Sequence, residues 1–287
     1  MRFAYTKQSF QDWFTQQWVI FRGSKTTPAE VPWLAGPFGD LNGIGADFIT
    51  RLAAREQLTV ERNPPSGGLL SSMRQLELTE AEYARLSPEV IRFYEGTANY
   101  TLDLRVAWNP VFKGFGTLVN TLFSTRINQL NIPIQNVRDD QALKSEIITL
   151  SDPGSGQVKY RVWLRTFQAT GKVVYMGIYG TCRLPSGKVC VKAVFPLPNG
   201  NATVIMEPGV TADGALILDG SGKKSGDAGF YFQLQDAKGD HWVHYVRPFR
   251  DRLVVRSGTD GLTAEQTLTL WGRRVLTFYY QIRAKTP

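Results

Sequence analysis

From Glu146 to the C terminus, apolar residues recur at every second position, and Gly, Pro, Asn and Asp break the pattern at short intervals. A period of two is the signature of a strand with distinct faces, and connections this short join antiparallel neighbours. The pattern predicts strands at 146–150, 158–167, 173–183, 189–197, 202–207, 215–219, 230–235, 242–246, 253–257, 265–271 and 275–283. That many consecutive antiparallel strands curl into a barrel or a strongly bent sheet.

The part before it differs. Residues 1–97 read as helices and loops. Phe10, Trp13, Phe14 and Val19 lie near helical spacing, and so do Phe48, Leu52 and Leu58. Pro64 to Gly68 is a loop. Thr79 with Glu82 three residues on predicts a capping box, and Ser87-Pro88-Glu89 opens a further short helix. Asn99 to Ala107 is a strand with Leu102, Leu104 and Val106 on one face. Residues 111–130 carry a wide apolar stripe at helical spacing, which predicts one long core helix. The expected fold is therefore α+β. A lipocalin-like or helix-grip-like antiparallel barrel, residues 98–287, wraps helix 111–130, and the N-terminal helical region, residues 1–97, packs against it.

The bulk numbers narrow the function classes. The chain has 287 residues, 43% hydrophobic and 20% charged, an ordinary globular composition near the upper size of a single core. No stretch reads as a secretory signal and no apolar run reaches the length of a membrane span, so the expected location is cytoplasmic. The net charge is +8. Residues 1–150 hold 15 basic and 15 acidic groups, and residues 151–287 hold 18 and 10. All the excess lies in the second half, which points to an anionic partner such as a membrane surface or an acidic ligand. The basic residues are dispersed, with no run longer than two, which argues against nucleic acid.

Chemistry-bearing residues are few. Cys182 and Cys190 flank the turn Leu184 to Lys188. If Ser186-Gly187 is the tip, Cys182 faces Val191 and Cys190 faces Arg183. That register matches one apolar face throughout, so free thiols are expected. The only histidines, His241 and His244, stand three apart. In a strand they point to opposite faces and form no metal pair. His244 shares a face with Trp242 and Val246, so it is the candidate base, its pKa lowered by an apolar setting. No phosphate-binding glycine loop, nucleophile elbow or metalloprotease motif is present. No metal and no cofactor is expected.

The strand Val158 to Phe167 is unusual. Val158, Tyr160, Val162 and Leu164 lie on one face; Lys159, Arg161, Trp163, Arg165 and Phe167 lie on the other. A basic, aromatic face suits an anionic and partly apolar molecule. The expected activity is binding of a lipid-like or other apolar small molecule with an acidic group. Its cavity would be lined by Trp108, Trp163 and Trp242, with Arg165 or Arg247 at the edge. A cofactor-independent enzyme using the same cavity, and a membrane-surface or scaffolding protein, are the alternatives.

The order of LSPEVIRFYE (86–95), LNIPI (130–134), VKYRVWLRTF (158–167) and LWGRRVLTFYYQI (270–282) resembles the bacterial domain family of unknown function DUF4166. Trp163, Arg165 and Phe167 match its Trp-x-Arg-x-Phe strand, and Gly272, Arg273 and Tyr280 its terminal strand. The resemblance spans residues 86–283. It implies small-molecule metabolism and assigns no catalytic residue.

Overall fold

The computed structural model describes residues 10–40, 47–112, 137–171 and 173–285. In chain order the elements begin with α1 (Phe10–Arg22), β1 (Ser24–Thr26), α2 (Asp47–Glu56), β2 (Thr59–Arg62), α3 (Glu80–Arg85) and α4 (Pro88–Glu95). The strands β3 (Tyr100–Trp108), β4 (Val137–Ser151), β5 (Val158–Phe167), β6 (Val173–Arg183), β7 (Val189–Leu197) and β8 (Gly200–Val210) follow. The chain ends with β9 (Leu216–Asp219), β10 (Gly229–Gln235), β11 (His241–Tyr245), β12 (Phe249–Gly258), β13 (Gly261–Leu270) and β14 (Arg273–Ala284).

Ten of these strands close into an antiparallel barrel in the order β8-β7-β6-β5-β4-β3-β14-β13-β12-β9, with β9 returning to β8. Closure turns on two long strands that each serve two partners along one edge. β4 pairs with β3 through its first half and with β2 through its last residues. β8 pairs with β10 over Gly200–Ile205 and with β9 over Glu207–Val210. Beyond the ring, β10, β11 and β1 form an extension. The N-terminal region thus contributes two short strands to the sheet as well as helices.

The faces of β5 explain how the barrel packs. Val162 and Leu164 point outward, where Phe48, Ile49 and Leu52 of α2 cover them. Each such buried side chain contributes about 2 kcal/mol. Trp163 and Phe167 point inward and join the main core.

One end of the barrel is sealed by residues 64–99. Leu70, Met73, Val90 and Phe93 enter the main core, the Ser87 amide donates to the Gly214 carbonyl at 3.0 Å, and Glu89 hydrogen bonds Ser257. The expected capping box is present: the Glu82 amide donates to Thr79 Oγ1 at 3.2 Å and the Thr79 amide to Glu82 at 3.0 Å. Ser87 caps α4, with Pro88 in its first turn. At the opposite end lie the turns after β3, β11 and β13. The helix expected at 111–130 lies outside the described residues beyond Phe112, and Pro110–Phe112 forms a 3-10 turn.

The turn between β6 and β7 corrects the expected register. Its loop has three residues, not two. The Gly187 amide donates to the Leu184 carbonyl and the Leu184 amide to the Lys188 carbonyl, both at 2.9 Å, and Gly187 is left-handed at φ +86°. This is a type I turn closed by a glycine bulge, and it shifts the pairing by one residue. Cys182 therefore lies opposite Cys190, and Ile178 opposite Val194. Matching an apolar face could not find this, because both faces are buried. Ile178 and Val194 pack outward with α2, while Tyr179, Val191 and Phe195 pack inward. Both thiols are unbonded and buried, and burial raises their pKa to about 11 and about 12.

The turn supplies a test. Gly187→Ala forces a side chain into the left-handed region and should cost about 1 kcal/mol of stability. Gly180→Ala on the same hairpin has open space around the added Cβ and no positive φ, and should be neutral or slightly stabilising. Urea unfolding midpoints of the two variants check the difference.

Candidate functional site

The barrel encloses a cavity of about 340 Å³, within the range of small-molecule sites. Its walls are mostly aliphatic and aromatic. Leu69, Leu70, Phe93 and Tyr94 of the cap close one end, and Trp108, Phe230, Phe249 and Leu276 stand toward the other. Among the described residues the polar groups that line it are Arg165 of β5, Asp251 of β12, Gln266 of β13 and the hydroxyls of Tyr94, Tyr175, Tyr179 and Tyr280.

Arg165 is 6% exposed. A register shift follows it directly, with Arg165 opposite Tyr175 and Thr166 opposite Val173. Irregularities of this kind re-aim a side chain and bend a strand. The guanidinium lies over the Trp163 ring at 4.1 Å and the Tyr175 ring at 4.8 Å, contacts worth about 2 kcal/mol each when desolvated. Trp163 is itself fixed by donating from Nε1 to Ser145 Oγ at 2.9 Å. Arg165 Nη2 donates to the Tyr179 hydroxyl at 3.2 Å.

Among the described residues no carboxylate forms an ion pair with Arg165; its guanidinium and the Tyr280 hydroxyl stand close enough to interact, but Arg165 Nε and the Tyr280 oxygen are buried with no well-aligned hydrogen bond. Burial alone would lower the Arg165 pKa, but the surrounding tyrosines, Tyr179 foremost, outweigh it and raise it. Burial also raises the Tyr175, Tyr179 and Tyr280 hydroxyls, the last to about 12. At neutral pH the cluster is a permanent cation ringed by neutral O–H donors, which is what an anionic group requires.

Asp251 and Gln266 form a second polar station. Gln266 Nε2 donates to both carboxyl oxygens, at 3.0 and 2.8 Å. Asp251 is 5% exposed. Burial pushes its pKa up to about 7; the Gln266 hydrogen bonds oppose the rise and the Asp219 carboxylate adds to it. The sequence reading did not single out this residue, although the signal was present. Phe249, Asp251, Leu253 and Val255 share one strand face, so the carboxyl sits in an apolar row.

The predicted site residues divide. Trp108, Trp163 and Arg165 line the cavity. Trp242, His244 and Arg247 do not: β11 belongs to the extension outside the ring, and Arg247 lies in the turn after it. Trp242 donates from Nε1 to Asp236 at 3.0 Å. His244 stacks edge-on against Trp18 of α1 at 4.6 Å, with Nδ1 3.1 Å from the Arg22 carbonyl. Its pKa is lowered, first by burial, but it faces no cavity group and cannot serve there as a base. His241 packs on Phe38, also away from the cavity.

Two comparisons return nothing: no family model matches the chain, and no solved structure matches it. Over 242 residues, 83% of its length, the chain is 26% identical to the "Uncharacterized membrane protein YndJ" of Bacillus subtilis (strain 168). The chain spans about two fifths of that protein's length, 41%. Among the described residues no helix is long and apolar enough to cross a membrane.

Asp251 makes stability depend on pH. Its folded pKa lies above the unfolded value of about 3.9, so the native state holds the proton more tightly. The contribution is fully present below about pH 4 and is lost as the pH rises to about 7, on the order of 4 kcal/mol in all. Asp251→Asn keeps an acceptor for Gln266 without the charge. It should be more stable than the parent at pH 8 and similar at pH 4.5. Denaturant unfolding at the two values measures this, and parallel pH profiles would contradict the buried titration.

Proposed function

We propose that the barrel binds an amphiphile: an apolar chain or ring system in the cavity, with its anionic head on Arg165. The observation that carries this is the buried guanidinium lacking a carboxylate partner among the described residues, beside a Tyr280 hydroxyl that also lacks one. A buried polar group left unpaired costs on the order of 1–3 kcal/mol. A ligand carboxylate or phosphate would satisfy both donors at once. The apolar walls then supply affinity, and the cation supplies selectivity. The relative's printed name fits this reading, since a barrel carried by a membrane protein has amphiphiles at hand. The helix expected at 111–130, wrapped by the barrel, remains part of the proposal, as does the resemblance to DUF4166.

Native mass spectrometry of the protein from its own host, followed by solvent extraction, identifies what the cavity holds. One bound acidic amphiphile per chain is the expected result. In solution, dodecanoic acid should bind more tightly than dodecanol. Arg165→Met should weaken the acid about tenfold to a hundredfold and leave the alcohol nearly unchanged. Equal losses for both probes would mean that Arg165 shapes the cavity and does not recognise charge.

Asp251 favours one further reading, a cofactor-independent proton transfer on the same ligand. A carboxyl with a pKa near 7 exchanges protons readily at neutral pH, and the Arg165 cluster faces the same cavity to stabilise a developing negative charge. Under this reading the extracted ligand, incubated with the protein in deuterium oxide, gains deuterium at carbon. Asp251→Asn stops the gain while binding persists. No uptake with the unaltered protein removes this reading and leaves the carrier.

A further inference from the structure

We infer that the end of the barrel opposite the cap docks on an anionic phospholipid surface, with Trp271 inserting at the headgroup level and the surrounding arginines pairing with phosphates. This surface lies outside the cavity and does not depend on what the cavity holds.

Three loops meet at this end. The Trp271 amide donates to the Pro248 carbonyl at 3.0 Å, which ties the β13–β14 turn to the β11–β12 turn. Asn109, just after β3, donates from its amide to the Val275 carbonyl at 2.9 Å and from its side chain to the Arg274 carbonyl at 2.8 Å. The tips carry large apolar side chains that the described residues leave exposed: Trp271 is 71% exposed and Val111 is 77% exposed. Around them stand Arg247, Arg250, Arg273 and Arg274, all exposed. Among the described residues none of the four is in an ion pair, although most exposed cations elsewhere on the barrel, such as Arg183, Lys188 and Arg283, have one. β4 also begins at this end, with Val137 opposite Val106 of β3.

The backbone of Trp271 adds an independent observation. It sits at φ +50°, followed by Gly272 at φ +73°, in the two-residue turn between Leu270 and Arg273. Such turns favour Asn-Gly or Asp-Gly, and a bulky residue in the left-handed region is an outlier. The fold gains little burial from this side chain, so packing does not account for the strain. A tryptophan at the tip of a rigid hairpin, flanked by arginines, matches the chemistry of a bilayer interface. The indole ring partitions to the headgroup level, and each nearby cation gains from an anionic leaflet.

The test is flotation of the 287-residue chain with vesicles of phosphatidylcholine alone or mixed with phosphatidylglycerol, at low and high salt. Binding is expected on the anionic vesicles at low salt, with little on the neutral ones and a strong loss at high salt. Arg273→Gln with Arg274→Gln should reduce partitioning roughly tenfold or more. Trp271→Asn should reduce it comparably while its unfolding midpoint stays level or rises, because Asn relieves the turn. That combination separates a docking role from a structural one. The inference is overturned by no flotation on anionic vesicles at low salt, by equal binding to neutral vesicles, or by binding that either variant leaves unchanged.

Discussion

Everything inside this molecule depends on one edge of β8 being shared. Its first six residues pair with β10 and its last four with β9. If β8 paired with β10 along its whole length, the sheet would run on as an open, twisted ribbon with exposed edges, a known liability. By releasing β10 and accepting the four-residue β9, β8 brings β12, β13 and β14 round to meet β3. β4 makes the complementary corner, passing from β3 to β2 along its own edge. Two five-stranded halves are thus joined at two corners, and the interior that results is wide enough to leave a cavity.

That interior is where the fold tolerates polar groups that a packed core would not. Arg165 is held by ring faces and a tyrosine hydroxyl, and no carboxylate among the described residues neutralises it. Asp251 is handled differently: burial raises its pKa to about 7, so the charge is present only from neutral pH upward, where the two Gln266 hydrogen bonds favour it. The desolvation cost of burying a charged group offsets much of what its ring contacts and hydrogen bonds return, so neither residue is a strong source of stability. Their presence is thus better explained by what the cavity receives than by what holds the barrel together. By contrast, buried polar groups such as Asn201 and Gln233 are satisfied. Gln233 donates to the Leu34 carbonyl and to Asn201 Oδ1 at 2.7 and 2.9 Å, pinning the N-terminal segment to β8 and β10.

Much of the barrel was legible because its signal is local. The bounds of β5, β6 and β7 agree with the period-two pattern to the residue, and the capping box at Thr79 and Glu82 needed only four residues to be recognised. Arg165 and Trp163 were legible because a basic, aromatic row beside an apolar one has few uses. What failed was non-local. Nothing in Trp242-Val243-His244 reveals that β11 lies beyond the closure point, since its alternation is the same on either side of it. The Cys182–Cys190 register failed because β6 and β7 are buried on both faces, so hydrophobic matching loses its power and the conformation of Gly187 decides. Asp251 was missed because a carboxyl in an apolar row gains meaning only when the row is known to face a cavity.

The cap gives the barrel a direction. Residues 64–99 seal their end with Met73, Val90, Leu70 and Phe93 almost fully removed from solvent, each contributing about 2 kcal/mol. Lifting the cap to admit a ligand would expose several of these together, a cost comparable to the whole stability of an ordinary domain. Exchange through that end is therefore disfavoured on energetic grounds. At the opposite end the described connections are short turns tied by a few backbone hydrogen bonds, whose local opening costs far less. The unpaired arginines lie at that same end: Arg247 in the turn after β11, Arg250 at the start of β12, and Arg273 and Arg274 at the start of β14. Four of the eighteen basic residues of the second half thus stand together, where an anionic amphiphile would approach the cavity.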